Sequence, residues 1–330
     1  MKNPFVTNGY VSPEYFCDRE KETAKIVSLL TNENNIALIS PRRLGKTDLL
    51  RHCFGQPEIK EHYHTFIIDI YATSSVRDFV NVFGKAVLDE LRPKGKSVWG
   101  TFLNVLASLR SEITFDMNGQ PTWGIGLGAI TNPSATLDEI FSYLNNAGKP
   151  CLIAIDEFQQ ITKYADDPNI EAALRTHIQR CSNAHFVFSG SHRHLMGAMF
   201  TSPARPFYQS VTLINLPPIS VDKYAEFCLK HFERVSKHLD TLVVTELYER
   251  FNGITSYMQK VMNILFSMTG TGEICIPSMI DTAINDLLDF SADTYDALLY
   301  QMPEKQRIVF MAIAAEGKAK AISRDRKSVV

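Results

Sequence analysis

The apolar run Ile36–Ile39 passes directly into SPRRLGKTDLL (Ser40–Leu50), and this junction limits the fold more than any other stretch of the chain. A buried strand that turns through a short loop into a helix leaves several backbone N–H groups pointing outward. With the helix dipole behind them, those donors cradle phosphate. The stretch follows the pattern GxxxxGK[ST] except that Ser40 stands where the first glycine belongs. That glycine mainly permits a tight exit from the strand. Here Pro41 pre-sets one turn and biases Ser40 toward an extended backbone, so the exit needs no positive φ at the serine. Gly45 is retained where the backbone comes closest to the anion. Pro41, Arg42, Arg43, Leu44, Gly45, Lys46, Thr47 and Asp48 are the expected nucleotide-binding set. Lys46 would reach the outer phosphates, and the Thr47 hydroxyl would ligate Mg²⁺.

A loop of this kind needs a carboxylate at the end of a second parallel strand. LIAIDE supplies it, with four apolar residues followed by Asp156 and Glu157. Asp156 is expected to complete the metal site and Glu157 to polarise a water for attack on the γ-phosphate. The strand HFVFSGS ends in Ser189, which either touches the γ-phosphate or the attacking water, or simply forms a turn with Gly190 and Ser191. Both readings stand. His192 and His194 flank Arg193 without a nearby cysteine or carboxylate in ligand spacing, so they are not read as a metal site.

Strands expected at NNIALIS, His64–Tyr71, CLIAIDEF, HFVFSGS and Ser210–Leu216 alternate with helical stretches at Asp18–Leu30, Val76–Leu91, Val98–Leu109, Thr136–Asn146 and Ile170–Cys181. That alternation implies an α/β fold built on a parallel sheet. Asp18 is the expected N-cap of its helix. Glu112–Leu127 alternates apolar and polar residues around Asn118-Gly119, a hairpin signal. Its GIGLG lacks the strand–turn–helix setting of a dinucleotide fingerprint. Trp99 and Trp123 are read as packing residues. After Leu216-Pro217-Pro218 every segment looks helical, up to Pro303–Glu316.

The remaining bounds come from composition. With 330 residues, roughly two domains fit. A net charge of −2 gives no global pull toward nucleic acid or membrane. Six scattered cysteines with no CxxC pair read as reduced thiols, and no apolar run is long enough to span a bilayer. A cytoplasmic protein with no signal peptide is expected.

FCDREKE, ISPRRLGKTDLL, LIAIDEFQQI, FVFSGS and RPFY, in that order, resemble the prokaryotic P-loop ATPases of the archaeal-ATPase-like type, among the STAND and AAA+ relatives. The resemblance covers about residues 8–316. It implies a P-loop NTPase sheet ordered 5-1-4-3-2 in a domain at 1–217, with a hairpin insert at about 112–128. A helical lid at 218–300 and a winged-helix segment at 301–330 would follow. It implies ATP and Mg²⁺ as ligands, Phe16 and Arg19 near the adenine, and Arg205 presented toward the phosphates in cis or from a neighbouring subunit. Arg175 and Gln179 match the family without an assigned role. Asn252–Tyr257 (NGITSY) occupies the place of a Gly-x-Pro lid motif, with Thr255 where the proline belongs. The winged-helix part stops at SRDRKSVV before any recognition helix, and Asp325–Val330 matches a translated sequencing adapter, so a truncated frame is expected. DNA would then be bound only through that missing part, while a protein partner or self-association stays open.

The function these features imply is Mg²⁺-dependent ATP hydrolysis that switches the lid. The alternative is an ATP-gated scaffold or DNA-associated adaptor with little turnover. A small-molecule kinase also begins with such a loop, but the paired carboxylates and the polar-ended strand speak against it.

Overall fold

The computed structural model describes residues 3–91, 113–115, 121–123 and 133–315. Five parallel strands form its main sheet: β1 (Ile36–Ile39), β2 (His64–Asp69), β3 (Cys151–Asp156), β4 (Ala184–Gly190) and β5 (Thr212–Asn215). Their spatial order is β5-β1-β4-β3-β2, as the resemblance implies. β1, β3 and β4 are buried along their whole length, while β2 and β5 lie at the edges and are partly exposed. A parallel sheet covered on both faces explains why its central strands are continuous apolar runs and do not alternate.

Alternation survives in which face each residue serves. Ala37 and Ile39, Ile153 and Ile155, and Phe186 and Phe188 pack on one face, with helices α3 (Val76–Glu90) and α4 (Pro133–Asn145). Ile36 and Leu38, Leu152 and Ala154, and Val187 pack on the other, with α1 (Glu20–Thr31) and α2 (Lys46–Phe54). Further helices of this part are α5 (Ile170–Arg180), α6 (Arg193–Thr201) and the single turn Pro57–Lys60.

Asp18 does not cap α1. The N-cap is Arg19, and both residues have positive φ, 57° and 78°. This entry lets the Arg19 side chain turn inward, where it is 2% exposed and donates to Glu22 Oε1 at 2.8 Å and to the Pro217 carbonyl at 2.7 Å. Of the expected hairpin, Ile113–Phe115 pairs antiparallel with Pro121–Trp123. Its turn, the expected helix Val98–Leu109 with Trp99, the Trp123 side chain and residues 316–330 lie outside the described residues.

After Leu216 the chain builds a second apolar core from α7 (Val221–Glu233), α8 (Thr241–Phe251), α9 (Thr255–Met268) and α10 (Ile280–Asp289). The N-terminal segment belongs to this core as well. Phe5 is fully buried there, 5.7–6.0 Å from the rings of Phe227, Phe232 and Phe266. Asn263 on α9 ties the segment down, donating to the Phe5 carbonyl at 2.7 Å while its own carbonyl accepts from Asn3 at 2.8 Å. The chain therefore begins on the helical unit and crosses to the sheet. Phe5→Ala is expected to cost about 3–5 kcal/mol, read by chemical denaturation. An unchanged unfolding midpoint would show that the segment does not hold the helical core.

Candidate functional site

The carboxyl ends of β1 and β3 open into a cavity of about 370 Å³, lined by Arg42, Arg43, Lys46 and Thr47 from one strand's loop and by Asp156 and Glu157 from the other. The serine that replaces glycine causes no strain. Ser40 is fully buried and its φ is not positive, while Arg43 (69°) and Gly45 (82°) carry the left-handed turns of the loop. The Lys46 ammonium donates to the carbonyls of Ser40 and Pro41, at 3.2 and 3.3 Å. It is 7% exposed. Burial pushes its pKa below the ordinary lysine value, against the opposing pull of Asp156 and Glu157.

The two halves of the site meet directly. Thr47 Oγ1 donates to Asp156 Oδ2 at 2.5 Å. A hydroxyl and a carboxylate in contact, both oxygen donors facing a phosphate-sized cleft, suit Mg²⁺, which takes one or two protein oxygens and completes its shell with phosphates and water. Glu157 follows in a left-handed conformation, φ 55°. Its backbone N–H is tied to Asp156 Oδ1 at 3.0 Å. Its Oε2 accepts from Gln159 Nε2 at 2.5 Å and from Ser191 Oγ at 3.0 Å, and that same hydroxyl accepts from Arg42 Nε at 3.3 Å.

Three of the expected site residues are elsewhere. Ser189 is fully buried inside β4 with its hydroxyl unpartnered, and it does not line the cavity. It lies within the strand under the packed core, and Ser191, two residues on and past the strand end, is the serine that meets Glu157. Arg205 does not face the phosphates in cis either. Glu171, in the first turn of α5, holds its guanidinium on both carboxylate oxygens. Pro41 lines an outer groove beside Ser191–Leu195 and not the central cavity. Gln159 was not anticipated, although its place two residues after Glu157 in DEFQQ was the available signal.

Beside the main cavity lies a smaller one of about 90 Å³, lined by Val11, Phe16, Leu44 and Ile219 with the buried Arg19. Phe16 stacks on His52 with ring centroids 4.4 Å apart. Phe16 and Arg19 thus line a largely apolar pocket adjoining the main cavity. Gly45, Asp48, Thr255 and Gln259 line both cavities. The helical unit closes the site through Arg43. Its carbonyl accepts from Ser256 N at 3.1 Å, and its guanidinium lies 4.8 Å over the Tyr257 ring while also bonding the Tyr257 hydroxyl.

The family described as an ATPase domain predominantly from Archaea matches residues 16–261. No curated protein matches the chain in sequence. A Walker-type ATPase of Pyrococcus abyssi superposes with a TM-score of 0.62 at 19% identity, over 90% of this chain and 79% of its own. The Aeropyrum pernix ORC2 protein gives 0.57 at 14%, over 86% and 71%. The ORC1 protein of the same organism, solved with DNA, gives 0.56 at 13%, over 93% and 74%. These structural likenesses show the fold.

Because burial lowers the Lys46 pKa below its ordinary 10.5, the unfolded chain holds that proton more tightly than the folded one. The penalty is fully present below the depressed value and fades as pH rises toward about 10.5. The stability of the ligand-free wild type relative to Lys46→Met is therefore expected to rise between neutral pH and pH 10, by denaturant titration. A difference independent of pH would refute this.

Proposed function

The chain belongs to the ATPase domain family found predominantly in Archaea, and from that premise we propose that it binds ATP with Mg²⁺, hydrolyses it, and uses the cycle to move the helical unit against the sheet. The observation that carries this reading is the contact of Thr47 with Asp156, with Glu157 next in line. Lys46 and the N–H groups at the start of α2 hold the outer phosphates. The hydroxyl of Thr47 and the carboxylate of Asp156 hold Mg²⁺, which when bound draws off charge from the phosphate oxygens. Glu157 takes the proton of the attacking water as the water oxygen bonds to the γ-phosphorus and the bond to the ADP oxygen breaks. Gln159 and Ser191 hold its carboxylate in place. The Arg43 contacts with Ser256 and Tyr257 carry the state of the loop to the helical unit, which is the lid of this reading.

Arg205 acts in this scheme only from a neighbouring copy, after release from Glu171, which makes self-association a part of the proposal. No helix among the described residues is long and apolar enough to cross a membrane, in keeping with work in the cytoplasm.

A second reading rests on Glu157 itself. Its Oε2 already accepts two hydrogen bonds, from Gln159 and Ser191, which occupy the oxygen that would meet a water. In this reading the protein is an ATP-gated scaffold or DNA-associated adaptor with little turnover, as the DNA bound by the ORC1 protein invites. Phosphate release over multiple turnovers, with and without DNA, separates the two, and salt-sensitive DNA binding favours the adaptor.

Glu157→Gln is expected to keep ATP affinity while lowering the hydrolysis rate about 10²–10⁴-fold, measured as phosphate release. Lys46→Ala is expected to lose nucleotide binding. Wild-type turnover in the first variant removes Glu157 from its role, and undiminished affinity in the second removes the loop from its own.

A further inference from the structure

The proposed phosphate cleft and the pocket beside it share one wall, formed by Gly45 and Asp48 of the loop and α2, by Thr255 and Gln259 of α9, and by Val6 and Gly9 of the N-terminal segment. The cleft carries the loop cations together with Asp156 and Glu157, and the pocket is lined mainly by apolar side chains around Arg19. A nucleotide that fills both must lay its sugar against the wall between them. The groups on that wall suit a sugar and not an anion. The lid residues that line the phosphate cleft are Thr255, Ser256 and Gln259, all neutral, whereas the cations Arg42, Arg43 and Lys46 come from the loop.

Gln259 is oriented for this task. Its Oε1 accepts from the Tyr224 hydroxyl at 2.8 Å. Tyr224 is 1% exposed, and its side chain packs in the helical core. Burial raises its pKa well above the ordinary tyrosine value, so the phenol stays a donor at all ordinary pH. With the carbonyl end of the amide committed, the Nε2 end is left as a donor that no other described residue uses. Across the wall, Asp48 supplies an acceptor-only carboxylate, 35% exposed and 3.9 Å from its nearest cation, Arg51. Near the phosphates that charge would repel. Against a neutral hydroxyl it accepts a charge-assisted hydrogen bond. The hydroxyl of Thr255 on the same wall is buried without a partner.

We propose that Gln259, positioned by Tyr224, and Asp48 together read the hydroxyls of the ribose, and that this pair selects nucleotides with an intact ribose over those that lack a sugar hydroxyl. The inference rests on the nucleotide reading of the site and adds a specificity determinant carried by the lid. Because Gln259 belongs to α9, the sugar contact also forms only when the lid lies against the loop.

The test is isothermal titration of the full chain with ADP, 2′-deoxy-ADP and 3′-deoxy-ADP. Wild type is expected to bind at least one deoxy analogue about tenfold more weakly than ADP, the loss of one good hydrogen bond. In Gln259→Leu that ratio is expected to fall to within about twofold. In Tyr224→Phe, where the amide is free to turn, it lies between. Gln259→Met, of similar length, repeats the measurement in case leucine disturbs packing, and a thermal melt confirms that each variant is folded. Equal affinity of wild type for all three nucleotides overturns the proposal, as does full discrimination retained in both Gln259 variants. A wild-type chain that binds none of the three overturns instead the nucleotide reading beneath it.

Discussion

β1 and β3 are not neighbours in the sheet; β4 lies between them. The hydrogen bond from Thr47 to Asp156 spans that gap, and the site depends on it. A parallel sheet places the carboxyl ends of its strands on one edge. The order reverses at β1, which pairs with β4 on one side and β5 on the other, and such a reversal opens a crevice in which ligands bind. The loop after β1 and the carboxylates after β3 meet across this crevice. The burial of β1, β3 and β4 on both faces holds the two halves in register, so the geometry of the site is a consequence of core packing.

Two non-glycine residues at the site have left-handed backbones, Arg43 and Glu157. Such conformations cost of order 1–3 kcal/mol each and persist where surrounding contacts over-determine them. At Glu157 those contacts are the bond from its own N–H to Asp156 and the two donors on its carboxylate. At Arg43 they come from the helical unit, through Ser256 and Tyr257. Arg43 thus joins the loop after β1 to the helical unit through both its backbone and its side chain.

Much of this was legible in the residues. The strand–loop–helix at Ile36–Leu50 and the apolar run ending in Asp156-Glu157 announce themselves locally, because short-range turn chemistry and buried-strand composition dictate them. The misplaced residues fail for a different reason. Ser189 lies within β4 and is covered by the core, whereas Ser191 follows the strand end, and only the packed sheet shows where β4 stops and which serine stays open to the site. Arg205 was read toward phosphate from the resemblance carried by RPFY. Its partner, Glu171, lies 34 positions away in sequence, and nothing near either residue marks the pairing. Asp18 lost its capping role to the inward turn of Arg19, whose acceptor is a carbonyl at Pro217.

The amino-acid sequence by itself determined the chemistry the chain carries, meaning the phosphate loop, the paired carboxylates and the alternation that commits it to a parallel sheet. These rest on local conformation and on the burial pattern of single strands. Tertiary structure alone decided which serine reaches Glu157, that Arg205 is held by Glu171, that Phe5 seals the helical core, and that Gln259 shares a wall with Asp48. Those relations join residues far apart in the chain. They depend on which side chains the packed core brings within hydrogen-bonding distance, and no local pattern encodes that distance.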